Sequence, residues 1–253
     1  MKVISITNNK GGTGKTTTSY NLGAALANRN HKVLLIDLDA QCNLTIAAGV
    51  PTTGRHIGEL LLGEAGFDEV VVKKDGFDLL PAHRMLLSYE YRINTEPDSG
   101  FFLSENLEGK DYDFVIIDCP PSLGSLTVNA LVASDYFVVP MQGENFAYVG
   151  LDEILQLTAK IRRRMNPRIK LAGILFNRFD MRTKFGQMVL QKLMQNPMVR
   201  VFETSIRQDV SLMESTAFAQ SIFAYAPDSR GASDFSKLCD ELLELYGEEK
   251  IQQ

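Results

Sequence analysis

Apolar residues along this chain fall into two kinds of run. The first kind is short and nearly unbroken: Val3-Ile4-Ser5-Ile6, Val33-Leu34-Leu35-Ile36, Phe114-Val115-Ile116-Ile117, Tyr136-Phe137-Val138-Val139 and Leu171-Ala172-Gly173-Ile174-Leu175-Phe176. Each is too brief for a helix, and a parallel strand covered on both faces reads this way. Phe77 to Ala82 is a weaker example that ends in a turn. The second kind has helical spacing: Leu22, Ala25 and Leu26 within 17–27; Leu151, Ile154, Leu155, Leu157 and Ile161 within 151–165; Phe235, Leu238, Leu242 and Leu245 within 234–246. Strand-like and helix-like runs that alternate predict an α/β fold, a mostly parallel twisted sheet with helices on both faces, doubly wound. Residues 50–110 are less regular. Gly54, Gly58, Gly63 and Gly66 punctuate short amphipathic pieces there, and no catalytic constellation shows. His83 reads as a helix-start or surface residue, with no second His or Cys beside it in sequence.

The chemistry gathers where the strands are predicted to end. Asn9 to Thr17, Asn-Lys-Gly-Gly-Thr-Gly-Lys-Thr-Thr, lies between the first strand and the first helix. A glycine-rich turn in that place points backbone N–H groups inward, and the helix start adds partial positive charge, so it cradles phosphates. Gly11, Gly12, Thr13 and Gly14 form the cradle and Thr17 continues it. Lys15 would reach the β- and γ-phosphates of a nucleotide, and the Thr16 hydroxyl would coordinate Mg²⁺. The ordinary pattern has glycine five residues before Gly14, where this chain has Asn9. It adds a second lysine, Lys10, although one lysine suffices for the phosphates within a single chain.

Asp37 and Asp39 end the second buried strand, placed for metal and water chemistry; an Asp at a helix start is the plainer alternative. Asp118 ends the third strong strand, where a carboxylate holds Mg²⁺ or its water shell, and Pro120-Pro121 terminate that strand. Gln142-Gly143-Glu144 follow the next strand at the same edge, with Glu144 placed to meet a partner subunit. Asn177 ends the last strand, where an amide reads as a turn residue.

The chain has 253 residues, 45% hydrophobic, enough for one large α/β domain over 1–253. Its net charge of −5 gives no hint of nucleic acid, but the charge is uneven. Between Lys160 and Arg207 there are 12 Lys or Arg and 2 Asp or Glu, a net of +10, so the remainder carries −15. A basic segment on an acidic protein is the footprint of a polyanion site, or else a set of solvated helix faces. Cys42, Cys119 and Cys239 have no C-x-x-C spacing, which argues against zinc and for a reducing, cytoplasmic setting. No apolar run approaches ~18 residues, so no membrane span is expected. The chain starts directly on a strand, which leaves no room for a signal peptide.

Lys10-Gly11-Gly12-Thr13-Gly14-Lys15-Thr16-Thr17 resembles the deviant Walker A motif of the ParA/MinD family of P-loop ATPases, closest to the ParA/Soj-type partition ATPases. The resemblance runs from Met1 to about Tyr246. It implies a Mg²⁺-dependent, slow ATPase that forms a homodimer with ATP, in which Lys10 acts in trans on the partner's nucleotide as an arginine finger does elsewhere. In the family's Asp-x-Asp-Pro-Gln-Gly-Asn switch the second aspartate supports the attacking water, a role that falls on Asp39, while Asp37 sits near Mg²⁺. Ala40 and Cys42 stand where the family has Pro and Gly. Asn177 matches the border of the adenine site. ParA-type members bind DNA without sequence preference in the ATP state and answer to an activating partner protein. Their Pro-Arg-x-Val-Arg-Leu loop is Arg207-Gln208-Asp209-Val210-Ser211-Leu212 here, so its arginine positions fall on Gln208 and Ser211. That leaves Arg182, Lys184, Arg200 and the displaced Arg207 as the DNA candidates. The acidic end, Gly247-Glu248-Glu249-Lys250, lacks the basic amphipathic helix with which MinD-like members reach lipid.

Overall fold

The apolar runs form the expected strands. In the computed structural model, which describes residues 1–142, 147–179, 183–196 and 199–251, these are β1 (Lys2–Ile6), β2 (Val33–Asp37), β4 (Asp78–Leu80), β5 (Phe114–Asp118), β6 (Tyr136–Met141) and β7 (Lys170–Phe176), joined by a two-residue β3 (Val72–Lys73). Among the described residues they make one seven-stranded sheet in the order β3-β4-β2-β5-β1-β6-β7. All neighbouring pairs are parallel except β3 with β4. The antiparallel hairpin at the edge left no signal in the sequence, because two residues are too few to show a period.

Alternation along each strand sorts the core onto two faces. Ile4, Ile6, Leu35 and Ile116 face one way, against α1 (Lys15–Ala27), α2 (Asn43–Ala47), α11 (Ile222–Tyr225) and α12 (Arg230–Ile251). Val3, Leu34, Ile36, Val115 and Ile117 face the other, against α3 (Ile57–Leu61), α4 (Phe67–Val70), α5 (Leu86–Ile93), α6 (Phe102–Leu107) and α7 (Ser125–Ala133). Phe137, Val139, Ile174 and Phe176 continue that face under α8 (Ala147–Arg164) and α9 (Lys184–Met194). A fully buried isoleucine or phenylalanine contributes about 1.5–3 kcal/mol, and β5, in the middle, has every residue buried.

The helix spacing of Leu22, Ala25 and Leu26 is confirmed, and all three are buried. α1 is buried almost all round, however, because α12 and α11 cover the side turned away from the sheet. α12 starts at Arg230, one turn before the expected Asp234, and Ser229 Oγ accepts from the Ala232 N–H at its start. The remaining described helix, α10 (Val210–Ala217), begins at Asp209, whose carboxylate accepts from the Ser211 N–H.

Parallel strands bring their C-terminal ends to one edge. β1, β5 and β2 are in register there, with Ile6 beside Asp118 and Asp118 beside Asp37. That edge is where a doubly wound sheet holds ligands.

Candidate nucleotide-binding site

The turn after β1 is fixed from below and from both sides. Asn8 donates from Nδ2 to the Pro140 carbonyl at 2.7 Å and accepts the Lys10 N–H on Oδ1 at 3.0 Å. Gln142 donates to the Gly12 carbonyl at 2.6 Å, and Asn177 donates from Nδ2 to the Thr13 carbonyl at 2.7 Å. Gly14 begins α1 at φ 91°, a left-handed conformation suited to glycine. A Cβ at Gly14 would also lie 2.4 Å from Asn177 Nδ2, so this position has no room for a side chain.

Lys15 is buried, and its ammonium donates to the Lys10 carbonyl at 3.1 Å. Burial lowers its pKa, against the opposing charges of Asp118, then Cys119, then Asp39. The Thr16 hydroxyl donates to Asp118 at 2.7 Å, and the Ser19 hydroxyl donates to the other Asp118 oxygen at 3.0 Å. Ser19 escaped the sequence reading, although Thr16 and Ser19, three apart on a helix, had to share a face. Burial pushes the Asp118 carboxyl up to about 8, with the neighbouring Asp37 adding to the effect; the Thr16 and Ser19 hydroxyls and Lys15 oppose it. Two buried carboxylates side by side on adjacent strands, with hydroxyls beside both, suit a hard oxygen-seeking cation such as Mg²⁺.

Asp37 and Asp39 differ in their surroundings. Asp37 is fully buried, and its oxygens accept from the Asp39 N–H at 3.0 Å, the Thr45 N–H at 2.8 Å and the Thr45 hydroxyl at 2.7 Å. It ties down both ends of the segment 38–45. Burial raises its pKa to about 6 in spite of these hydrogen bonds. Asp39 lies on the wall of the open cleft and accepts the Gln41 N–H at 2.9 Å. Cys42 ends the turn at φ 58° and caps α2 with its side chain buried.

The cleft above these residues has a volume of about 580 Å³. Gly11, Gly12, Gly14, Lys15, Thr16 and Thr17 line it, as do Asn177, Arg178, Ile206 and Leu212. Asn177 is 5% exposed, and its Oδ1 has no hydrogen-bond partner. A buried acceptor of this kind needs a donor, and the residue that carries it lines the cleft.

The basic candidates are not gathered in one place. Arg207 lines the cleft, but its guanidinium and backbone N–H all bind Asp234 of α12, with Nη2 to Oδ1 at 2.7 Å. Asp209 holds the Gly231 N–H at 2.8 Å, and Glu241 holds the N–H groups of Glu203 and Thr204. The 203–209 segment is therefore carried by α12, with Arg207 as an anchor. Lys184 begins α9 just after β7, at the nucleotide edge. Arg162, Arg163 and Arg164 end α8 before β7 begins, at the opposite edge. Arg182 and Glu144 lie outside the described residues. His83 lies in the turn before α5, where its Nδ1 accepts the Met85 N–H at 3.1 Å. A second histidine is close in space after all. His56 stacks on His83 at 5.0 Å and accepts the Gly58 N–H on its own Nδ1, so backbone donors occupy one nitrogen of each ring.

A parallel sheet with a glycine-rich cradle between β1 and α1, and a carboxylate at the end of the neighbouring β5, defines a P-loop nucleotide hydrolase. A family model described as an AAA domain matches residues 1–171. The chromosome-partitioning ATPase Soj of Thermus thermophilus is 40% identical over 243 residues, covering 96% of both chains. The sporulation initiation inhibitor protein Soj of Bacillus subtilis is 36% identical and covers 95% of this chain and 98% of its own. The structure of cobyrinic acid a,c-diamide synthase from Mycobacterium smegmatis with bound ATP analog and magnesium superposes with a TM-score of 0.85 at 32% identity, covering 98% of this chain and 96% of that one. The chain belongs to the ParA/Soj family of partition ATPases. No helix among the described residues is long and apolar enough to cross a membrane.

Proposed function

We propose that this chain is a cytoplasmic partition or positioning ATPase that binds ATP with Mg²⁺, closes into a homodimer, binds DNA without sequence preference in that state, and lets go after slow hydrolysis triggered by a partner protein. One observation carries the nucleotide reading. The cradle, Lys15, the Thr16–Asp118 pair and Asp39 converge on one cleft, and beside the cradle Asn177 carries a buried acceptor, Oδ1, without a partner. An acceptor there suits the amino group of adenine and disfavours the carbonyl that guanine carries in its place.

Phosphoryl transfer asks the protein chiefly for positioning and charge stabilisation. Backbone N–H groups of residues 11–16 and the Lys15 ammonium would hold the phosphates. Thr16 and Asp118 would hold Mg²⁺, which neutralises charge that develops on the phosphate oxygens, with Asp37 behind them. Asp39 would orient water, and Lys10 would complete the partner's site. The 34–40% identity to Soj and ParA proteins over nearly the whole chain supports the partition role.

The DNA arm rests on the +10 segment. Arg162, Arg163, Arg164, Arg168, Lys184 and Arg200 are exposed, and none of them makes an ion pair among the described residues. The commitment of Arg207 to Asp234 favours a second reading, in which the ATPase attaches to a protein scaffold and not to DNA. Gel-shift of nonspecific duplex DNA with a non-hydrolysable ATP analogue, at two salt concentrations, separates the two. DNA held through four to six phosphates weakens about 150- to 1,800-fold when salt rises fourfold. Absence of a nucleotide-dependent shift at low salt leaves the scaffold reading.

A further inference from the structure

Asn9, at the place where an ordinary cradle has glycine, has its side chain wedged against the first turns of α8. Its Nδ2 donates to Glu153 at 2.5 Å. Its Oδ1 lies against Gly150, where a Cβ would sit only 2.3 Å away. Residues 9 and 150–153 are more than 140 positions apart in the chain, so this contact is specific to the folded molecule. The adjoining residue is Lys10, whose N–H is held by Asn8 and whose carbonyl receives Lys15 and, at 3.5 Å, Thr13. The backbone of Lys10 is thus fixed on both its polar groups. The one side chain between Asn8 and Lys10 is fixed by α8.

We infer that Glu153 and Gly150 are positioning residues for Lys10. Through Asn9 they set the direction in which Lys10 leaves the loop, so that its side chain is preorganised to cross to a second copy of this chain. This inference rests on the trans role proposed for Lys10. Its physical content is entropic. A loop that is already ordered loses less freedom when the dimer closes. Ordering one rotamer-rich side chain costs about 0.5–1.5 kcal/mol, or roughly fivefold in affinity. A symmetric dimer contains two such loops, so loss of both braces weakens assembly by about 25-fold.

Glu153 is exposed on a helix and outside the cleft lining, so its replacement spares both the fold and the phosphates. Glu153→Ala removes the acceptor. Glu153→Gln keeps an acceptor for Asn9 Nδ2. Gly150→Ala attacks the same brace from its other side. The test measures two quantities with a fluorescent non-hydrolysable ATP analogue and Mg²⁺: nucleotide affinity at low protein concentration, and dimer dissociation by sedimentation at saturating nucleotide. Glu153→Ala and Gly150→Ala are expected to weaken the dimer by about 25-fold while nucleotide affinity stays within about twofold, and Glu153→Gln restores most of the assembly. Unchanged dimerisation in Glu153→Ala, a parallel loss of nucleotide affinity, or a Glu153→Gln variant no better than Glu153→Ala each overturns the inference. Wild-type protein that stays monomeric in the same experiment removes the trans role itself, and the brace with it.

Discussion

Cys42 holds a backbone conformation that favours glycine. Its φ is 58°, its side chain is buried, and it closes the turn that begins at Asp39. In the left-handed region a Cβ crowds the backbone at a cost of ~1–2 kcal/mol relative to glycine. Two substitutions isolate that cost. Cys42→Ala keeps the strain and removes the sulfur, which costs about 1 kcal/mol of buried surface. Cys42→Gly removes strain and side chain together, and it gives the unfolded chain extra freedom worth about 0.5 kcal/mol. With φ at 58°, the strain relieved is offset by that freedom and by the buried methyl lost, about 0.8 kcal/mol, so the glycine variant should match the alanine variant to within about 0.7 kcal/mol. Were φ in the ordinary helical range, glycine would be the less stable by about 1.3–1.8 kcal/mol. The two geometries are thus separated by about 1–2 kcal/mol, which urea unfolding midpoints of the two variants, measured side by side, resolve. A glycine variant less stable than the alanine variant by more than about 1.3 kcal/mol refutes a left-handed turn at position 42, and with it the idea that this turn holds strain.

Other expectations follow from the same geometry. Asn177→Ala should weaken ATP binding about tenfold, by analogy with one buried hydrogen-bonding amide lost, and should narrow the preference for ATP over GTP in competition assays; an unchanged preference excludes Asn177 from the base. Asp39→Ala should lower phosphate release by about 100-fold or more and leave ATP-bound dimers standing, whereas undiminished hydrolysis takes Asp39 out of the mechanism. His56 gives the pH dependence. Burial lowers its pKa, with smaller influences from Glu59, His83 and Glu64, so the folded state binds fewer protons than the unfolded chain near the unfolded value of about 6.5. The stability it contributes is therefore present above that pH and lost as pH falls. Asp118 and Asp37, raised to about 8 and about 6, contribute with the opposite sign in this window, so the His56 part is read by difference: from pH 7 to pH 5 the wild type should lose stability relative to His56→Asn, which can still cap α3 but cannot titrate, and a constant difference between the two excludes it.

The nucleotide edge was legible because buried parallel strands have an unmistakable pattern and end where polarity returns. Asp37, Asp118 and Asn177 each end such a run, and register alone then brings the two aspartates side by side. What stayed hidden was which group each one serves. The motif told Asp39 from Asp37, but nothing in the sequence showed that Asp37 holds Thr45 and the Asp39 N–H while Asp39 lies on the cleft wall. Arg207 looked like a cation for a polyanion because its partner, Asp234, lies 27 residues downstream on a helix that was expected to begin at that very residue. The brace at Asn9 was invisible for the same reason, since Glu153 meets it only through the tertiary fold. The +10 segment shows the limit of composition most clearly. A run of charge in sequence becomes two separate groups once α8 and β7 carry it from one edge of the sheet to the other.

The central claim is that two copies of this chain enclose two nucleotides and exchange Lys10 across the interface. Sedimentation of the wild type and of Lys10→Ala with Mg²⁺ and a non-hydrolysable ATP analogue tests it most directly. The wild type should sediment at twice its monomer mass, and Lys10→Ala should remain a monomer that still binds the nucleotide. A wild type that stays monomeric at saturating nucleotide, or a Lys10→Ala dimer as stable as the wild type, contradicts the claim.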